Sequence, residues 1–436
     1  MYNLSFDLQK NDGRFKIMHA VNNGPVHKRH AVDQLRSNFI PWKTARIPLA
    51  RNHDAAFCGS YGGEHTVDIT AIFPDFSKDP YDPASYDFVC TDEYVLATLE
   101  AGTKTFFRLG QKIEHYIKKY GTLPPPDFKK WAIICEHIIK HYTEDFADGL
   151  GLDIDYCEIW NEPDLDTDDS THKRTWGGTQ AQFYDLFEIT AKHLKACFPH
   201  LKIGGPALAT PSESCERYLK EMQKREIPAD FISWHIYSTS PEEIINLGKL
   251  VRTNMVKYGY QDKESILNEW NYVKGWVDEF VYSITQIISI KGAAFILAVM
   301  SAAQNSEIDM LMYYDARPCV FNGLFDFYTY EPLKGYYPFL WFADLYECEK
   351  QIICDQSYKD IYTLCGVKDD GKVLATVCYY NDDDSLMPRN ISVNFGKNTK
   401  YEVYVLDGEK NGELIGIFSD LNFELKVNSA IFIKEI

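Results

Sequence analysis

Between residues 17 and 346, eight short apolar runs of strand-forming types are each followed by a stretch with helical spacing. The runs occupy residues 17–21, 45–50, 105–109, 154–160, 202–206, 231–237, 265–270 and 310–315. The helical stretches fall at 29–39, 91–101, 127–143, 181–197, 213–225, 241–258, 278–304 and 335–346. Parallel strands need a crossover between them, and a helix is its usual form. Eight such units in succession predict an α/β fold of the (β/α)8 TIM barrel type rather than an open doubly wound sheet. Pro48, inside the second run, removes a ladder donor and counts against a central strand there. Residues 55–85 predict an ordered loop over the barrel mouth, since loops of that length are usually functional and this one carries Phe57, Tyr61, Phe73 and Phe76.

The pattern changes outside these units. Residues 3–8 alternate weakly and end in Asn11-Asp12-Gly13, which reads as one strand and a turn. After Gln351, short runs at 362–365, 372–380, 390–394, 401–407, 414–419 and 430–434 are separated by turn clusters. They predict an all-β sandwich at the C-terminal end. The expected division is a barrel over 16–350, a sandwich over 351–436, and an N-terminal strand within 1–15 that joins the sandwich.

Composition narrows the functional classes. A net charge of −18 argues against nucleic acid or an anionic membrane as partner. The eleven cysteines lack zinc spacing and often sit in apolar runs, which predicts reduced core thiols and a cytoplasmic protein. No basic and apolar leader opens the chain, and no stretch is apolar enough to span a membrane. No metal cluster, phosphate loop or dinucleotide fingerprint is evident, so neither cofactor nor metal is expected. A homo-oligomer stays open.

The chemistry gathers at the predicted strand ends. Asn161 and Glu162 close the fourth run, where Pro163 stops the strand by denying it a donor and restricting the residue before it. Glu269 closes the seventh. Two carboxyls facing each other across a barrel mouth are the apparatus of glycoside hydrolysis, about 5–5.5 Å apart for retention and wider for inversion. Arg51 can hold one of them ionised, since a nearby cation lowers a carboxyl pKa. Tyr237 can donate to the same carboxylate, and Asn161 can bond the hydroxyl beside the anomeric carbon. His235 either orients Tyr237 or lines the pocket. His53 and Arg108 divide between substrate contact and structural pairing, and Asp315 sits in what can be a simple exit turn. The indoles of Trp160, Trp234 and Trp270 are candidates for sugar stacking, with core packing as the alternative. Glu93, on a helix, and Glu158, within a strand, are set aside.

These residues carry a resemblance. Asn22-Asn23-Gly24-Pro25, Arg51 with His53, Phe107-Arg108-Leu109, Ile159-Trp160-Asn161-Glu162-Pro163, Trp234-His235 with Tyr237, and Lys334-Gly335-Tyr336-Tyr337 make the chain similar to glycoside hydrolase family 39. That family lies in the clan of retaining (β/α)8 glycosidases. The resemblance implies Glu162 as general acid/base, Glu269 as nucleophile, and a β-sandwich beside the barrel. The sequence departs from the family pattern at Leu267-Asn268-Glu269-Trp270-Asn271, at Tyr313-Tyr314 where a tryptophan is commoner, and at Cys58–Gly63 in the long loop. With Arg51, His53, Arg108, Asn161, His235, Tyr237, Trp270 and Tyr314 as substrate-binding candidates, the expected function is a retaining exo-glycosidase, with β-xylosidase as the default. Other family specificities (β-galactosidase, α-L-arabinosidase, α-L-iduronidase) and a catalytically silent carbohydrate-binding barrel are the alternatives.

Overall fold

The computed structural model describes residues 1–26, 37–54 and 67–436. After β1 (Tyr2–Ser5), eight strands form a closed parallel barrel in chain order. They are β2 (Ile17–Asn22), β3 (Leu49–Arg51), β4 (Lys104–Leu109), β5 (Tyr156–Ile159), β6 (Lys202–Leu208), β7 (Phe231–Ser238), β8 (Glu264–Tyr272) and β9 (Met310–Tyr313). β9 pairs back onto β2 to close the ring. Ten α-helices are found among the described residues. They are α1 (Phe39–Thr44), α2 (Ile69–Ile72), α3 (Val89–Glu100), α4 (Phe128–Thr143), α5 (Gln180–Cys197), α6 (Pro211–Lys224), α7 (Pro241–Lys257), α8 (Phe280–Ile287), α9 (Ile290–Gln304) and α10 (Tyr336–Tyr346).

Local chemistry explains several boundaries. Asp127 accepts from two backbone amides to start α4, and Thr179 with Gln182 forms a reciprocal capping box on α5. Most of the helix expected over 29–39 lies outside the described residues, as do Phe57, Tyr61 and Cys58–Gly63 of the long loop. The second strand begins only after Pro48, whose carbonyl accepts from Lys104, so the proline stands at the strand entrance. The single helix expected over 278–304 is two, bent by 77°. Ser289 is extended between them and caps α9 through Lys291 N.

The barrel interior follows the two-residue period of a strand. Its floor is an apolar cluster of Ala20, Leu49, Phe106, Tyr156, Phe231, Ile266, Met310 and Met312. Two residues further along their strands stand Asn22, Arg51, Glu158, Ser233 and Asn268, all buried and hydrogen-bonded to one another. A polar layer therefore sits directly above the apolar one.

The remaining strands are β10 (Lys350–Gln351), β11 (Ile361–Val367), β12 (Val373–Tyr379), β13 (Arg389–Asn394), β14 (Tyr401–Leu406), β15 (Asn411–Phe418), β16 (Leu421–Leu425) and β17 (Ser429–Glu435). A six-stranded sheet, ordered β10-β11-β12-β17-β14-β15, faces a three-stranded sheet, β1-β13-β16. β1 runs parallel to β13, with Leu4 opposite Val393. β12 is buried along its whole length because it has no solvent face. Val373, Ala375 and Val377 pack against the smaller sheet, while Leu374 and Cys378 join the barrel core, where the Cys378 thiol donates to the Ala294 carbonyl of α9. One face of the larger sheet thus shares the barrel's apolar core, and the two sheets enclose a second core between them.

Candidate active site

Glu162 and Glu269 face each other at the carboxyl ends of β5 and β8, each almost completely buried. A carboxylate oxygen of one lies within 4.8 Å of a carboxylate oxygen of the other. The chain reaches Glu162 through left-handed backbone, with φ of 74° at Trp160 and 48° at Glu162. Non-glycine residues rarely adopt that region, and such strain collects at functional sites. Pro163 does keep Glu162 out of the right-handed helical region, and the Ala207 carbonyl of β6 accepts its N–H at 2.9 Å. Glu269 reaches the interior by a different route. The β7–β8 pairing skips from Trp234 opposite Leu267 to His235 opposite Glu269. This bulge at Asn268 turns two consecutive residues inward.

Arg51, fully buried, ties the site together. Its Nη1 donates to Glu269 Oε1 at 2.9 Å and to Asn22 Oδ1 at 3.0 Å, and its Nη2 donates to Asn161 Oδ1 at 2.6 Å. Its Nε donates to Glu158 Oε2 at 2.6 Å. The opposite oxygen of Glu158 accepts from Ser233 Oγ at 2.6 Å and Asn268 Nδ2 at 2.5 Å. Glu158 is therefore the buried counter-charge beneath the pair, a role its place within a strand had hidden.

The two carboxyls differ in surroundings. Tyr237 OH donates to Glu269 Oε2 at 2.9 Å, so Glu269 receives a phenol and a guanidinium. His235 Nδ1 lies 2.7 Å from Glu162 Oε1 and 3.5 Å from Glu269 Oε2, which places it on the carboxyl pair rather than on Tyr237. Burial lowers the His235 pKa, while the nearby Glu269 acts the other way. Burial raises both glutamates, with the neighbouring Asp164 pushing Glu162 further, to about 8. Glu269 is raised to about 7, with His235 and Arg51 acting against its burial. The pair thus favours a proton on Glu162 and charge on Glu269.

The other candidates separate into two groups. His53, Tyr314, His235 and Tyr237 line, with both glutamates, a cleft of about 990 Å3. His53 Nε2 lies 3.6 Å from Glu269 Oε1, and burial depresses its pKa. Tyr314 OH donates to Asp54 Oδ2 at 2.6 Å. Asn161 keeps its Nδ2 buried and without a partner among the described residues. Four substrate-binding candidates are not among the residues that line the cleft: Arg51 and Asn161, buried beneath the carboxyl pair, and Trp270 and Arg108, which lie away from it. Trp270 follows an inward residue and so points outward into the core, packed on Phe295 and Tyr313. Arg108 donates to the His53 carbonyl at 2.6 Å and to Asp68 at 2.7 Å, which makes it a loop-holding residue. Trp160 and Trp234 are core as well, with indole N–H groups bonded to the Thr175 carbonyl and Ser265. Asp315 accepts from Asn23 Nδ2 at 2.8 Å and from the Arg317 backbone, bracing the exit turn.

Sequence reading passed over Trp276 and Phe321, which line the cleft. Trp276 is 57% exposed and meets Tyr237 edge-on at 5.0 Å. Its only signal was its place in the loop leaving the strand that carries Glu269. Glu162, His235 and Glu269 also have metal-ligand spacing, but the Arg51 guanidinium against Glu269 opposes a cation there. Glu136, His193 and Cys197 form a second such group between α4 and α5, where Lys140 pairs with Glu136 at 2.6 Å.

Comparison with known proteins adds the family. A β-xylosidase of Geobacillus stearothermophilus is 27% identical over 192 residues, 41% of this chain and 34% of that protein. The chain spans about a third of the length of the curated relatives it matches. Among solved structures, a glucosidase from Croceicoccus marinus superposes with a TM-score of 0.81 at 22% identity, covering 100% of this chain and 99% of that one. A monomeric β-xylosidase from Caulobacter crescentus CB15 superposes at 0.71 and 15% identity, covering 100% and 99%. The model of glycosyl hydrolases family 39 matches residues 64–305, more than half of the chain and both carboxyls of the pair. The chain belongs to glycoside hydrolase family 39.

Proposed function

We propose that this protein is a retaining exo-glycosidase that releases a terminal sugar by double displacement, with a β-xyloside as the default substrate. The observation that carries the mechanism is the approach of the two carboxylate oxygens within 4.8 Å. That spacing suits direct attack on the sugar and is too small for the water of an inverting enzyme. In the first step the Glu162 proton passes to the glycosidic oxygen as the bond to C1 breaks. A Glu269 oxygen bonds C1 on the opposite face. In the second step Glu162 takes a proton from water, and the water oxygen displaces Glu269, which leaves as carboxylate. Arg51 and Tyr237 hold Glu269 charged and aimed. The free Nδ2 of Asn161 is available to the sugar 2-hydroxyl, an interaction that strengthens in the transition state.

The names of the relatives support a β-xyloside, and that of the Croceicoccus protein, a glucosidase, keeps a glucoside beside it. A cytoplasmic setting is part of the same reading, supported by ten free cysteines among the described residues. The test is a panel of aryl β-xyloside, β-glucoside, β-galactoside, α-L-arabinoside and α-L-iduronide. Turnover of one sugar is expected, lost in Glu162→Ala and Glu269→Ala, with azide giving the inverted glycosyl azide from Glu269→Ala. Binding without turnover would favour the silent barrel, and turnover undiminished in both variants would remove the mechanism.

A further inference from the structure

The cleft is far larger than one sugar ring and changes character on one side. Around the carboxyl pair it offers His53, His235 and Tyr237. Beyond Glu162 its wall carries Leu165, Pro211, Ile236, Leu247 and Leu250. Leu165 lies next to the acid, its N–H donating to the Glu162 carbonyl at 3.1 Å. Pro211 opens α6, and Leu247 and Leu250 share one face of α7 with Glu243. Leu250 is 40% exposed, an aliphatic side chain kept open to solvent along the groove.

Several polar groups on this wall are already occupied. Arg174 grips Asp166 through Nε and Nη2, at 3.1 and 2.8 Å from Oδ1. Thr210 donates to Asp164 at 2.8 Å, and Glu243 accepts from Ser238 at 2.5 Å. His115, Ser212, Glu213 and Asn246 also line the cleft, but sugar hydroxyls buried against the Leu165, Ile236, Leu247 and Leu250 side chains would find no partner there, and an unpaired buried hydroxyl is costly. An apolar group there gains by leaving water.

The acid must face the glycosidic oxygen, so the leaving group lies on the Glu162 side. Resting on the proposed glycosidase reading, we infer that this groove is the aglycone subsite and that it takes an apolar aglycone, such as an alkyl or terpenoid alcohol. The substrate class is then a monoglycoside of an apolar alcohol rather than an oligosaccharide.

Two experiments test this. The first measures kcat/KM for methyl, hexyl, octyl and decyl β-D-xylosides and β-D-glucosides against xylobiose and cellobiose. Each methylene that enters the groove should raise kcat/KM roughly threefold, from its transfer out of water. The octyl-to-methyl ratio should fall at least tenfold in Leu247→Asp and Leu250→Asp. A flat dependence on chain length, or a disaccharide preferred over the octyl glycoside, overturns the inference. The second titrates 1-octanol, the leaving alcohol itself, into the protein by calorimetry and needs neither turnover nor the right sugar. Saturable binding weakened in both variants supports the groove even if every glycoside proves inert, in which case the catalytic reading alone fails. No saturation, or saturation unchanged in the variants, overturns it.

Discussion

Replacing Tyr237 by phenylalanine removes one hydrogen bond and little else. The phenol donates to Glu269 Oε2 at 2.9 Å, and its ring packs on Trp276, Tyr314 and Phe321, contacts that phenylalanine keeps. A hydrogen bond to a charged group is worth about 1.5–3 kcal/mol. The donor favours ionised Glu269, so its loss raises a carboxyl that burial already holds at about 7. The shift corresponds to about 1–2 pH units upward. In the proposed mechanism Glu269 must be ionised to attack, and Glu162, raised to about 8, must be protonated to donate. The acid limb of kcat/KM therefore moves up towards the alkaline limb. The bell shrinks as the two limbs meet, because fewer molecules carry the proton on Glu162 and the charge on Glu269. A profile of kcat/KM between about pH 5 and 9 reads this directly. At pH 6 the loss should be roughly 10- to 150-fold, the rate equivalent of that hydrogen bond. A folded variant with an unmoved acid limb and undiminished height would refute the assignment of Tyr237 to the nucleophile.

Three further outcomes are expected. Arg51→Met strands the buried Glu158 and should cost about 3–5 kcal/mol by urea unfolding. Combined with Glu158→Gln it should cost clearly less than the sum, and additivity within about 0.5 kcal/mol would show that the two side chains are not coupled. Glu162 has a folded pKa raised to about 8, so the stability tied to its neutral form is present below the ordinary carboxyl pKa of 4.5 and is lost as pH rises through about 8. Glu162→Gln removes that charge, so its melting temperature should exceed that of the parent protein at pH 8.5 and approach it at pH 4, and the opposite order would show Glu162 charged in the fold. Trp270→Phe should lower the melting temperature through the cavity it leaves and keep KM within twofold, since the indole lies outside the cleft. A large rise in KM would return Trp270 to the sugar site.

Sequence pattern reached a good part of this protein, and the limits follow from what pattern encodes. Apolar runs alternating with helical periods specify a parallel sheet wrapped in helices, and eight of them specify closure, because each unit records its own burial locally. Asn161-Glu162-Pro163 was legible for the same reason, as the proline ends the strand wherever the chain goes. Glu269 was legible as a carboxyl at a strand end. The reading failed where side-chain direction depends on a neighbour. Strict alternation from Glu269 sends Asn268 out of the barrel, yet the bulge against β7 brings both inward. Glu158 looked like a strand residue of no account until the polar layer over Tyr156 and Phe231 placed it under Arg51. Trp270 looked like a sugar platform until its outward face met Phe295.

The sandwich followed the same division. Its short runs were visible, but β16 was not, because only Ser419 and Asp420 separate it from β15 while the chain crosses from one sheet to the other. Nor did the run at 372–380 reveal that β12 is buried on both sides, against β13 and β16 on one and α9 on the other. By itself, then, the sequence determined the barrel, its strand order and the two carboxyls, all consequences of local burial and of backbone chemistry within a few residues. The tertiary structure decided which polar groups share the interior, which carboxyl keeps the proton, and which wall of the cleft is apolar. Those depend on distances between strands and helices far apart in the chain, and electrostatics in a buried site is set by such distances.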